Sequence, residues 1–412
     1  MIDRSIKYPA RFSIFLVTLC ATPVVDRLAS LSEYVTYINT FYRLLSLATC
    51  LVVCVGFPKI VTLSSRALLI PAIYVVTFII TSMRGVNPEF SIDNRLFLLP
   101  LIMVDFFQWF LAGLIFNEKS FQKKVYFYGA IYGFISIVLA LTDLIDVDQA
   151  RVIAGPDIPV ALVAAIASNQ VIYAVFLMVA AIGSLKKTVV LCSVGGAAIA
   201  LFLMRVGRTK KKKVGGKRFK YPAFLQFTIF VGIVIPFLFV AFPYIDQTVV
   251  RLFGEQEDVM RTAMFDEFNY LLPIYFPWGT GYYTFGYLTR DTISYGTLTA
   301  DGREVLGMSL HNTILHVLLE GGAIVFGCFV ILYSASIVYA IKLFKSLETR
   351  PVAIVMLSWL FVALVYGLTN QLHATRYYFG IVGFCYGVYY RYRQVQFTGV
   401  RNALFVRDGI SI

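Results

Sequence analysis

Long, nearly unbroken apolar runs recur along the whole chain, and they constrain its fold more than any other feature. A helix needs about 20 mostly apolar residues to cross a hydrocarbon core. Runs of that kind fall near 12–31, 38–57, 66–83, 96–116, 125–146, 158–183, 188–206, 222–245, 314–341, 352–369 and 374–390, most of them bounded by charge or proline. Continuous runs rather than period-2 alternation exclude an outer-membrane barrel. Composition excludes a soluble enzyme: 59 % of residues are hydrophobic and only 14 % charged, against roughly a quarter charged in a soluble domain. The predicted fold is an all-α integral membrane protein, a single polytopic domain over 1–412. It is a bundle of about 11–12 transmembrane helices with one large, partly helical outer loop.

The chain carries 36 Lys and Arg against 23 Asp and Glu, a net charge of +13. In a soluble protein that excess points to nucleic acid. In a membrane protein it is the mark of cytoplasmic loops, and no nucleic-acid partner is expected. The segment 205–220, RVGRTKKKKVGGKRFK, has nine basic residues and no acid, which predicts a cytoplasmic loop. Lys342, Lys345 and Arg350 mark a second inner turn, and Lys119, Lys123 and Lys124 another. Arg4, Lys7 and Arg11 at one end, and Arg391 and Arg393 at the other, predict both termini in the cytoplasm. The first run lacks a small-residue cleavage site and is expected to remain as a span.

These anchors leave 246–310 outside, and its nine acids against four bases agree. The segments around Arg151 and His373 lie outside as well. Seven spans then separate the N-terminus from 205–220, an odd number for two segments on one side. Either a span within 151–206 is re-entrant or split, or one anchor is misplaced, and the sidedness of Lys186 and Lys187 (GSLKKT) depends on which. The six cysteines, all within apolar runs, read as small buried hydrophobes.

Within the outer loop, 256–275 (QEDVMRTAMFDEFNYLLPIY) has helical spacing. Val259, Met264, Phe268, Leu271 and Leu272 share a face, with acids opposite. PWGTGYYTFG (277–286) follows, a glycine- and aromatic-rich turn suited to the headgroup region or to stacking on sugars; taken alone it reads first as an ordinary interfacial loop. SLHNTILHVLLEGG (309–322) then enters the membrane. A histidine at that junction, His311, can take a proton from a hydroxyl near neutral pH or serve as a hydrogen-bonded structural residue. His316 falls on a different helix face and reads as packing. Glu320 is costly to bury as an ion and calls for a base or a proton. Asp105 and Gln108 are polar at membrane depth and are expected to face the bundle interior.

Arg261, PWGTGY and, after a gap, HNTILHVLLEGG together resemble the core of the O-antigen ligase and O-antigen polymerase superfamily. That core is an outer-loop arginine, a Gly-x-Gly turn after a short helix, and a His-Asn opening a helix that continues Leu-x-x-x-Glu-x-Gly. The specific match covers roughly 252–325, with span order and loop placement agreeing elsewhere. The resemblance implies a multi-pass protein of the bacterial inner membrane with its large loop in the periplasm. It implies a metal-independent, inverting glycosyltransferase without cofactor, moving a glycan from a polyprenyl-diphosphate carrier to an acceptor.

Residue by residue, the resemblance makes His311 the catalytic base and Arg261 and Arg151 ligands of the diphosphate. Asn312 orients the ring or the acceptor, and Gly279 and Gly281 form the substrate-side turn. Lys187, with Lys186, competes with Arg205 and Arg208 (RVGRT) for the family's later Ser-Arg step. Arg376, with His373 in NQLHATRYY, is expected on the acceptor side. A diphosphate leaving group needs fixed positive charge, which guanidinium supplies permanently and bidentately. The implied partners are the lipid-linked donor, a glycan or lipid A-core acceptor, the bilayer, and chain-length regulator or flippase proteins. An O-antigen, capsule or exopolysaccharide polymerase is the preferred subtype. A ligase onto lipid A-core is the alternative. A polysaccharide transporter or flippase is the third reading, and it would call for a polar mid-membrane path and repeated halves.

Overall fold

In a computed structural model the apolar runs become helices, and the described residues contain no strand. The structure describes residues 10–29, 35–55, 58–85, 98–115, 118–141, 155–184, 186–209, 256–282, 284–288, 312–369 and 376–398. The helices are α1 (Ala10–Ala29), α2 (Val35–Val55), α3 (Pro58–Arg84), α4 (Leu98–Ile115), α5 (Glu118–Leu141), α6 (Asp157–Ala167), α7 (Val171–Gly183) and α8 (Lys187–Thr209). They continue with α9 (Gln256–Tyr275), α10 (Phe285–Leu288), α11 (Thr313–Phe344), α12 (Arg350–Thr369) and α13 (Arg376–Thr398). The predicted span at 222–245, most of the basic segment 205–220 and much of the loop 246–310 lie outside the described residues.

Among the described residues, four helices are long and apolar enough to cross a membrane. They are Ala67–Arg84 of α3, Thr188–Gly207 of α8, α11, and Arg350–Leu368 of α12. Their outer faces stay apolar where a soluble protein would be polar. Along α11, Ile324, Ile331 and Val338 recur every seven residues and are each about half exposed. A stripe of large apolar side chains on the outside is the surface of a helix that meets lipid. All six cysteines are free and buried.

Close backbone approach holds the middle of the bundle together. α13 lies against α4 through Gly383 and Gly387, where an added Cβ would collide with the carbonyl oxygens of Phe106 and Phe110. Small residues four apart let two helices meet at the backbone, the main source of helix association where lipid is as apolar as the side chains. Trp109, Phe121, Trp359 and Phe384 fill the adjacent space with edge and stacked ring contacts, Phe121 and Phe384 at 4.9 Å between centroids.

The span predicted at 158–183 is two helices. α6 ends at a turn over Ser168–Gln170, with Asn169 at φ 55° and the N–H of Gln170 donating to the carbonyl of Ala165. Asparagine tolerates that left-handed conformation better than most residues. Contacts along α5 give the path. Gly155 N–H donates to the Tyr132 hydroxyl, Ala161 sits on Gly129, and the Ser168 hydroxyl donates to Gln122 at 3.1 Å. The chain then returns: the Tyr173 ring packs at a tilt 4.8 Å from that of Tyr126, Ala180 lies by Gly133, and Gly183 by Ile137. Gly129 and Gly133 are one turn apart, so α6 and α7 are antiparallel. At 1.5 Å per residue they are about 17 and 20 Å long, short of the ~30 Å hydrocarbon core. This is a helical hairpin that enters and leaves at the same end. Two short helices stand where the hydropathy gave one span, the split that the sequence reading allowed within 151–206.

Hydrogen bonds sort the helix ends into two sets. Arg350 donates to the carbonyls of Gly207 and Phe344, joining the end of α8 to the α11–α12 turn. At the opposite end of α12, Asn312 donates to the carbonyl of Leu368 and the Lys186 ammonium to the Tyr366 hydroxyl. Lys186 therefore shares an end of the bundle with the start of α11, away from the basic turn at Arg350.

Candidate functional site

The site is built around the start of α11. Asn312 is an N-cap residue by chemistry, and it caps: its Oδ1 accepts from the N–H groups of Ile314 and Leu315 at 3.0 and 3.2 Å. Its Nδ2 reaches across to Leu368 of α12. The side chain that the resemblance gives to ring or acceptor orientation is thus engaged as a cap and an inter-helix tie. It fixes where α11 starts, one residue after His311 in the sequence.

Three turns into α11 the helix breaks. Gly322 has φ 69° and ψ −172°, a region essentially restricted to glycine. A break inside a membrane bundle leaves backbone groups that must find partners within the protein. The turn 277–282 supplies them. Thr280 N–H donates to Leu319 carbonyl and Gly281 N–H to Glu320 carbonyl, both at 3.0 Å, while Ala323 N–H donates to Pro277 carbonyl at 2.8 Å. Gly279, at φ 85°, passes so close that a Cβ there would sit 2.5 Å from the Glu320 carbonyl oxygen. Gly279 and Gly281 therefore dock the turn onto α11, with Gly281 N–H spent on Glu320.

The turn is not a surface loop. Thr280, Tyr282, Thr284 and Phe285 are buried, and Tyr282 N–H donates to Ser82 of α3 at 2.8 Å. Trp278 is 78 % exposed. α9 leads into the turn and packs Phe268 and Leu271 against Leu319 and Phe285. The predicted helix and much of its apolar face are present, although Glu267, expected opposite that face, is buried.

Glu320 completes the clasp. Its Oε1 lies 2.8 Å from His316 Nε2 and accepts from the Phe285 N–H at 3.0 Å. Both side chains are buried. Glu320 and His316, one turn apart on α11, thus lie side by side inside the bundle. Glu320→Ala leaves the buried Phe285 N–H without that acceptor and is expected to lower stability by about 1–3 kcal/mol. Glu320→Gln keeps an oxygen there and should lose less. Thermal unfolding of the purified protein in detergent checks the order, and equal losses would mean the carboxylate does not hold the turn.

Near the same end, Lys186 lies in the connection between α7 and α8, and burial pushes its amine down to about 8. Gly155, at the foot of the hairpin, is four residues beyond Arg151. His311, Arg151 and His373 lie outside the described residues, as do the side chains of Arg261, Lys187 and Arg376, whose backbones belong to α9, α8 and α13. Among the described residues no group of three or more His, Cys, Asp or Glu is placed to hold a metal ion. Sequence reasoning passed over the helix break and the His316–Glu320 clasp. The paired glycines Gly321–Gly322 after a buried acid were the available signal. No protein-family model and no curated protein matches the chain.

Proposed function

We propose that this chain transfers a glycan from a polyprenyl-diphosphate carrier to an acceptor sugar at the outer face of the bacterial inner membrane. In this reading it is a polymerase of O-antigen, capsule or exopolysaccharide, eleven or twelve helices deep, with both termini in the cytoplasm. The observation that carries the reading is the clustering at one end of the bundle. The capped start of α11, which follows His311, meets the end of α12 and Lys186, with the turn 277–282 locked into the helix below.

In the reaction, neutral His311 takes the proton of the acceptor hydroxyl as that oxygen attacks the anomeric carbon from the face opposite the carrier. The anomeric C–O bond to the diphosphate breaks, the centre inverts, and the electron pair leaves with the phosphate. Arg261, Arg151, Lys187 and Lys186 are the cations for that charge, and Arg376 serves the acceptor side. A second reading, a polysaccharide transporter, is favoured by the hairpin of short helices and the broken α11, both features of transporter sites.

The test is purified protein with a defined polyprenyl-diphosphate oligosaccharide, scored for longer lipid-linked glycan. Elongation that survives a chelator supports the metal-independent transferase. The chelator arm has force because Asp146 and Asp148 form an Asp-x-Asp pair. Movement of the donor across vesicles without elongation would favour the transporter. Lys186 adds a pH dependence. Its charged form attracts a diphosphate, and that form is lost as pH rises through about 8. Donor affinity is therefore expected to fall from pH 7 to 9, and Lys186→Gln should flatten that limb. An unchanged limb in the variant would remove Lys186 from donor binding.

A further inference from the structure

On the other flank of the hairpin, α1, α2, α4, α5 and the first turn of α6 line a partly open cavity of about 40 Å³. Its polar lining is Thr22, Ser46, Asp105, Gln108 and Asp157, beside the ring of Trp109. Among the described residues, the charged groups in that lining are Asp105 and Asp157. Pro23 explains one side: it lacks an N–H, and the Thr22 hydroxyl donates instead to the carbonyls of Thr18 and Leu19 at 2.9 and 3.0 Å. The Thr22 oxygen keeps its acceptor positions. Ser46 Oγ, on a residue only 3 % exposed, has no hydrogen-bond partner among the described residues. Gln108 is 4 % exposed and contributes an amide oxygen.

We infer that this cavity is a binding site for a small, largely dehydrated alkali cation, Na⁺ in the first instance. The donors are carboxylate, hydroxyl and amide oxygens, the set that hard cations take. Two carboxylates facing one cavity repel each other, and a cation between them relieves that cost. A carboxylate has about four acceptor positions, so the partners Asp105 and Asp157 have within the protein leave lone pairs for an ion. The cavity has room for a few water-sized occupants. Mg²⁺ gives up its waters reluctantly and keeps several of them, whereas an alkali ion sheds its waters more readily for protein oxygens. Binding of the ion does not depend on the glycan chemistry.

The test uses the full-length protein in detergent, with choline chloride replaced by NaCl at constant ionic strength. Na⁺ is expected to raise the unfolding temperature saturably, as a ligand of the folded state does, and to change the fluorescence of Trp109. Trp109→Phe assigns that signal among the three tryptophans. Asp105→Asn and Asp157→Asn should each weaken the apparent affinity about 10–100-fold, the range seen when a metal site loses a supporting group. Ser46→Ala removes one oxygen without touching a charge and keeps the test open if a carboxylate variant fails to fold; about tenfold weakening is expected. No Na⁺ effect, an equal effect in wild type and all three variants, or a response only to Mg²⁺ or Ca²⁺ would overturn the assignment.

Discussion

His311→Ala is expected to lower glycan transfer by about 10²–10⁴-fold, the usual worth of a general base, while insertion, folding and donor binding persist. The residue precedes the cap of α11, and the groups that hold that cap and the turn beneath it belong to Asn312, Leu368, Gly281 and Glu320. His316 is the control. It is buried against Glu320, so His316→Ala should lower thermal stability first and turnover only in proportion to the protein that unfolds. Transfer by purified variants, scored beside their melting temperatures, separates the two histidines. A His316→Ala protein that melts normally and has no activity, beside an active His311→Ala, would move the base to His316 and sink the proposed chemistry.

The second large effect is on folding. Gly322→Ala places a Cβ against the carbonyl of Pro277 and 2.6 Å from the carbonyl carbon of Trp278. It also forces a side chain into a conformation that essentially only glycine holds. The backbone strain is worth about 1–3 kcal/mol and the overpacking about 1–3 kcal/mol. Together they take a large share of the ~5–15 kcal/mol that holds a typical fold. The turn cannot yield without stripping Leu319, Glu320 and Ala323 of their partners inside the bundle. The expected result is a marked drop in melting temperature and in yield, with Gly279→Ala close behind. Gly327→Ala is the control, because nothing lies within 4 Å of a Cβ there. A Gly322→Ala protein that melts like the wild type would show that the turn is not docked in the break.

What the sequence determined by itself was everything set by local pattern. Long apolar runs dictate helices that tolerate lipid, and Ile324, Ile331 and Val338 are such a surface. The spacing of Phe268, Leu271 and Leu272 dictates α9, and Asn312 ahead of an apolar run dictates where α11 starts. Each of these depends on residues within a few turns of one another. Tertiary structure alone decided the features that rest on distant partners. Hydropathy reads 158–183 as one span because two short apolar helices have the same composition as one long one. The fold-back at Ser168–Gln170 is held by Gln122, Gly129 and Gly133 of α5. The break in α11 is likewise invisible along 314–341, because opening a helix in a membrane is tolerable only when other backbone takes up its carbonyls and N–H groups. That backbone is the turn 277–281, about forty residues earlier in the chain. Only the assembled bundle brings it to Glu320 and Gly322.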